Sequence, residues 1–140
     1  MWSPQKLPKI NASSGSAVPI SEQTASYLRR AAEVSERSGG ALDCTVGALT
    51  KLWDIGGERA RVPSPGEIAA ALQTVGWKQV SLEARQAKLK SGQALDLGAI
   101  GKGIACDEAK RILDDTHLSG AVISVGGEPP RLWASRPGRR

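Results

Sequence analysis

The 140-residue chain has no phenylalanine and only one tyrosine, one methionine and one histidine. With four tryptophans and that tyrosine as its whole aromatic content, the core has to be aliphatic and alanine-rich. No apolar run approaches the ~20 residues needed to cross a bilayer, and the N-terminus lacks the apolar segment of a signal peptide. Cysteine is equally sparse. Cys44 and Cys106 lie too far apart for a CxxC redox or zinc motif and read as small buried side chains. The sole histidine, His117, falls near the end of an expected helix, where it suits the helix dipole better than the role of a base.

Acidic residues are missing from the last ten positions, where Arg131, Arg136, Arg139 and Arg140 stand. Those four arginines account for four of the five net positive charges, which leaves +1 on residues 1–130. A near-neutral body with a basic Pro/Arg end lacks the basic, aromatic-interleaved face of a nucleic-acid binder. Nucleic acid is therefore not an expected partner, and residues 129–140 are expected to form a disordered tail.

What remains has the length of one domain. Residues 1–20 read as irregular, with a loop over 11–16. Ser21 caps a helix running to about Ser38, where Gly39 and Gly40 stop it. Residues 41–52 carry no firm assignment, and 56–63 form a charged loop. Ser64, Pro65 and Glu67 make a capping box with proline at the first helical position, and Ile68, Ala71, Leu72 and Val75 are expected to form that helix's buried stripe. Two alternating segments, 77–82 and 87–90, predict a β-hairpin, and Ala121 to Val125 predicts a short buried strand. The expectation is an α+β fold with a mixed sheet and about three helices.

The most chemically suggestive stretch is Asp96-Leu97-Gly98-Ala99-Ile100-Gly101-Lys102-Gly103, read as a glycine-rich loop leading into a helix. Ile104, Ala105, Ala109, Ile112 and Leu113 share one face of that helix at helical spacing. Unpaired first-turn amides, the positive end of the dipole and the charge of Lys102 suit an anion. A P-loop is excluded, because Asp96 stands where its first glycine belongs and Gly103 where it needs Ser or Thr. The dinucleotide fingerprint is excluded by Cys106 at the place of its third glycine. A tight turn that binds nothing, and an Asp43 that merely caps the turn after it, remain open at this point.

Four patterns occur in order: residues 38–49 with Trp53 close behind, 71–80, 95–107 and 122–128. In register over about residues 10–128, they closely resemble the ApbE family, the FAD:protein FMN transferases. The resemblance implies an ApbE-like (T-fold-like) domain and a Mg²⁺-dependent enzyme with FAD as substrate. Such an enzyme attaches the FMN half of FAD to a Thr or Ser hydroxyl of a target flavoprotein and releases AMP. It also implies that Ala41, Leu42, Asp43, Asp96 and Lys102 contact FAD and that the carbonyl of Ala99 is a magnesium ligand. Asn11 and Asp107 match recurring positions without an assigned role.

The match has departures. Cys44 replaces the usual proline, Gly101 an alanine, Ile104 a tyrosine and Cys106 a valine. Family members are much longer, and their other magnesium ligands lie in a C-terminal half without counterpart here. Residues 1–128 are thus expected to be a partial ApbE-like domain that is inactive alone. The alternative reading is a non-catalytic flavin- or nucleotide-binding module. The family is commonly periplasmic and lipid-anchored on the inner membrane, and the location of this chain is not legible from its sequence.

Overall fold

A computed structural model describes residues 6–116, 118, 120–126 and 131–134. The chain divides into two units, Met1–Leu97 and Gly98–Arg140.

The first unit opens with α1 (Lys6–Asn11), a helix in a stretch expected to be irregular. Pro8 does not prevent it, because it falls in the first turn, where its missing N–H has no intrahelical partner to lose. Ile10, 1% exposed, ties the short helix to the core. β1 (Val18–Pro19) leads to α2 (Glu22–Arg37), whose N-cap is Ser21 as expected, with the Ser21 hydroxyl accepting from the Thr24 amide at 3.1 Å. Thr24, Ala25, Leu28, Ala31 and Ser35 form its buried stripe.

α3 (Gly47–Trp53) occupies the stretch that carried no assignment. α4 (Pro65–Leu72) starts at the expected capping box, in which the Ser64 hydroxyl accepts from the Glu67 amide and the Glu67 carboxylate accepts from the Ser64 amide. Its expected buried stripe is corrected. No residue of α4 is fully buried and Leu72 is exposed, since α3 is the element it packs against. A single 3₁₀ turn (Trp77–Gln79) replaces the first half of the expected hairpin strand. The hairpin itself is present as β2 (Ser81–Glu83) and β3 (Gln86–Lys88). β3 is central in an antiparallel sheet of order β1-β3-β2, with Val18 and Leu82 both opposite Ala87.

The second unit holds α5 (Gly98–Asp114), β4 (Gly120–Ile123) and β5 (Arg131–Ala134). The strands pair antiparallel, from Gly120 opposite Ala134 to Ile123 opposite Arg131. Residues 131–134, which fall within the stretch expected to be a tail, form β5 and pair with β4. The rest of that tail, His117 and residues 127–128 of the fourth motif lie outside the described residues. β4 is not the buried strand expected, since Val122 is 62% exposed on a two-stranded ribbon. Within α5, Ile104 and Cys106 are buried while Ala105 and Ile112 are exposed, so the expected apolar face is only partly covered. Among the described residues five α-helices stand where about three were expected, and both sheets are antiparallel, with one parallel bridge between Val46 and Ala94 outside them.

Candidate functional site

Asp43 sits in a turn it helps to build. Its Oδ1 accepts from the Thr45 amide at 2.8 Å and from the Thr45 hydroxyl at 2.6 Å. The capping role left open by the sequence is therefore present, and it uses one carboxylate oxygen. Oδ2 accepts from no side chain or amide among the described residues, and the residue is only half-buried. Ala41 is exposed and Leu42 half-buried beside it, with the Leu42 amide donating to the Ser38 hydroxyl at 3.1 Å.

Asp96 reaches the same place from another part of the chain. Its amide donates to the Cys44 carbonyl at 2.7 Å, and the Gly47 amide donates to the Ala94 carbonyl at 3.0 Å. These bonds lay residues 94–96 alongside residues 44–47. The approach is so close that a Cβ on Gly47 would stand 2.7 Å from the carbonyl carbon and oxygen of Ala94, which only glycine avoids. Gln93, Leu95 and Leu97 are buried while Ala94 and Asp96 are half-exposed, a period of two that turns the Asp96 side chain away from the core.

Asn11 closes the other side of this segment. Its amide nitrogen donates to the Leu95 carbonyl at 2.9 Å, and its oxygen accepts from the Leu95 amide at 2.8 Å. A side chain thus supplies both bonds that a neighbouring strand would make. Sequence reasoning marked Asn11 but gave it no role, and it passed over Gln93 and Thr45. The alternation from Gln93 to Leu97 was the available signal.

Cys44, which follows Asp43 and whose carbonyl takes the Asp96 amide, is 1% exposed. Burial, then the charges of Asp43 and Asp96, push its thiol up to about 11. Burial accounts for most of that shift, and the smaller part due to charge places both carboxylates near the thiol. The first unit therefore offers hydrogen-bond acceptors suited to donor edges of a ligand, such as a flavin ring, a ribose hydroxyl or an adenine amine.

In the second unit, Ala99 and Lys102 lie three residues apart on α5, hence on one side of it. The expected glycine-rich loop is corrected here: Gly98 begins the helix, so Gly98, Gly101 and Gly103 are all helical. Ala99, Ile100 and Lys102 have enough helical preference to carry the glycines between them. The Ala99 carbonyl is no loose loop oxygen; it points along the axis toward the amide four residues on. Lys102 lies against Gly126, where an added Cβ would come within 3.1 Å of Lys102 Cε. The third and fourth motifs thus meet, and Gly126 leaves the room in which the lysine chain runs.

Among the described residues no three His, Cys, Asp or Glu side chains come together as a metal-ligand set. One backbone oxygen already directed into a helix does not make a magnesium site, which demands near-octahedral oxygen ligation. No helix among the described residues is long and apolar enough to cross a membrane.

The chain was compared with known proteins. The ApbE family profile matches residues 1–138. An FAD:protein FMN transferase of Treponema pallidum is 37% identical over 130 residues, covering 86% of this chain and 36% of that protein. One from Salmonella typhimurium is 30% identical over 116 residues, covering 78% of this chain and 33% of its own length. Among solved structures, an ApbE protein of Thermotoga maritima superposes with a TM-score of 0.83 at 35% identity, over 90% of this chain and 42% of that one. The flavin transferase ApbE of Vibrio cholerae does so with a TM-score of 0.80 at 29% identity, over 91% and 42%. The chain spans about a third of the length of the curated relatives it matches. The profile match runs through all four sequence motifs, including the Asp43 and Asp96 segments that the fold lays side by side, and the chain belongs to the ApbE family.

Proposed function

We propose that this chain carries the FAD-binding part of an FAD:protein FMN transferase. In the reaction, the bond joining the FMN phosphorus to AMP breaks, and a phosphoester forms to a Thr or Ser hydroxyl of a target flavoprotein. The observation that carries the reading is the pairing of residues 44–47 with 94–96, which brings the segments bearing Asp43 and Asp96 together near Cys44. Two acceptors carried on segments that are bonded together suit the polar edges of a dinucleotide, with Ala41 and Leu42 offering apolar contact beside them. In the second unit, Lys102 and the first turn of α5 supply positive charge of the kind a pyrophosphate requires.

Magnesium belongs to the proposal only through the family resemblance, with the Ala99 carbonyl as one ligand. When bound, it would neutralise charge on the pyrophosphate. The residues described do not complete its site. The 140-residue chain is accordingly expected to bind FAD without cleaving it. Incubating the chain with FAD and Mg²⁺ and quantifying AMP by chromatography checks this: no AMP is expected above a protein-free control. Metal-dependent AMP release would show that the chain assembles a full catalytic site.

A further inference from the structure

Thr45 is wholly buried, yet both its backbone amide and its hydroxyl are committed to Asp43. The hydroxyl also accepts from the Gly76 amide at 2.7 Å. An amide can only donate, so the hydroxyl proton is left to point at Asp43 Oδ1, 2.6 Å away. Gly76 is held in turn by Gln93, 4% exposed, whose amide nitrogen donates to the Gly76 carbonyl at 3.0 Å. The Gln93 oxygen accepts from the Lys90 amide at 3.2 Å. A directed relay therefore runs from the β3 end, through Gln93 and the Gly76 turn, to one oxygen of Asp43. All of its members lie in the first unit.

Nothing in this relay touches Asp43 Oδ2. Two donors on Oδ1 fix the plane of the carboxylate and leave the second oxygen, on a half-buried residue, as the acceptor for a ligand. We infer that Thr45 is a positioning residue for FAD binding, which orients Asp43 so that Oδ2 accepts from a donor on the bound dinucleotide. The inference rests on the reading of Asp43 as an FAD contact and goes beyond it by assigning the group that aims the carboxylate. Thr45 does not touch the ligand itself. A buried hydroxyl with both of its hydrogen-bonding functions matched pre-organises a site, because no side-chain freedom is lost when the ligand arrives.

The test is an FAD titration of the 140-residue chain, read by flavin fluorescence, with circular dichroism confirming the fold of each variant. Thr45→Val removes the hydroxyl at constant shape, and Thr45→Ala removes it while leaving room for a water at the Gly76 amide. Thr45→Ser keeps the hydroxyl. Loss of a hydrogen bond to a carboxylate corresponds to about tenfold in affinity. Thr45→Val or, if that variant does not fold, Thr45→Ala is expected to weaken FAD binding by about that factor, with Thr45→Ser within about twofold of wild type. In an Asp43→Asn background, removing the Thr45 hydroxyl is expected to cost nothing further, whereas a merely structural role would lower affinity there too. Wild-type affinity in the variants lacking the hydroxyl, or equal losses in Thr45→Ser and Thr45→Val, overturns the positioning role while leaving Asp43 as a contact. Absence of saturable FAD binding by the wild-type chain overturns the functional reading, and the positioning role with it.

Discussion

Asp43 and Asp96 depend on residues whose importance lies in distant pairing. Asn11 is 84 positions from Leu95, and its two bonds replace those of a missing strand neighbour. Asn11→Ala leaves the amide and carbonyl of a residue that is 2% exposed without partners. It should lower stability by about 1–3 kcal/mol, read from the midpoint of urea unfolding. Gly47→Ala should cost a similar amount, about 1–3 kcal/mol, because its Cβ meets backbone that cannot step aside. Unchanged midpoints would mean that the two segments are not held as described. Cys44, with its thiol at about 11 and its side chain buried, should be alkylated far more slowly in the native chain than in urea at pH 8, as peptide mapping would show. The two aspartates were marked from sequence because a family pattern surrounds them. Thr45, Gln93 and the role of Asn11 were not, because a single sequence carries no record of which distant backbone groups a polar side chain will satisfy.

Among the elements, those with chemical punctuation at their ends were the readable ones. Ser21 and the Ser64–Glu67 box fixed the starts of α2 and α4, since a capping side chain and the amide it accepts from are three residues apart or fewer in sequence. α1 and α3, six and seven residues long, have no such signal and owe their form to packing rather than propensity. The start of α5 was misplaced because glycines that commonly mark a loop are here accommodated in a helix. The capping box also carries a pH dependence. Arg61, and then the Ser64 amide and hydroxyl, hold the Glu67 carboxyl down to about 2 against a usual 4.5. A depressed carboxyl contributes stability that is full above its unfolded value and is lost as pH falls toward the folded one. Melting temperature should therefore drop between about pH 4.5 and 2, and Glu67→Gln should flatten part of that drop. An identical pH profile in the variant would contradict the pairing. Ser64→Ala tests the other half of the box, with an expected loss of about 1 kcal/mol.

For the whole molecule, the α+β class and the family were legible, while the division after Leu97 was not. The boundary falls inside the third motif, between Asp96 and Lys102, where sequence continuity suggests a single loop. Net charge was a poor guide to partners, because four of the five excess positive charges stand in the last ten residues. In the first unit, the Asp96 segment is bonded alongside the turn that carries Asp43. That this unit binds FAD through the two carboxylates is decided by equilibrium titration of the purified chain, followed by flavin fluorescence. Saturable binding is expected, weakened by about tenfold in Asp96→Asn, as for loss of a charged acceptor. Absence of saturable binding, or an affinity indifferent to Asp96→Asn, would contradict it.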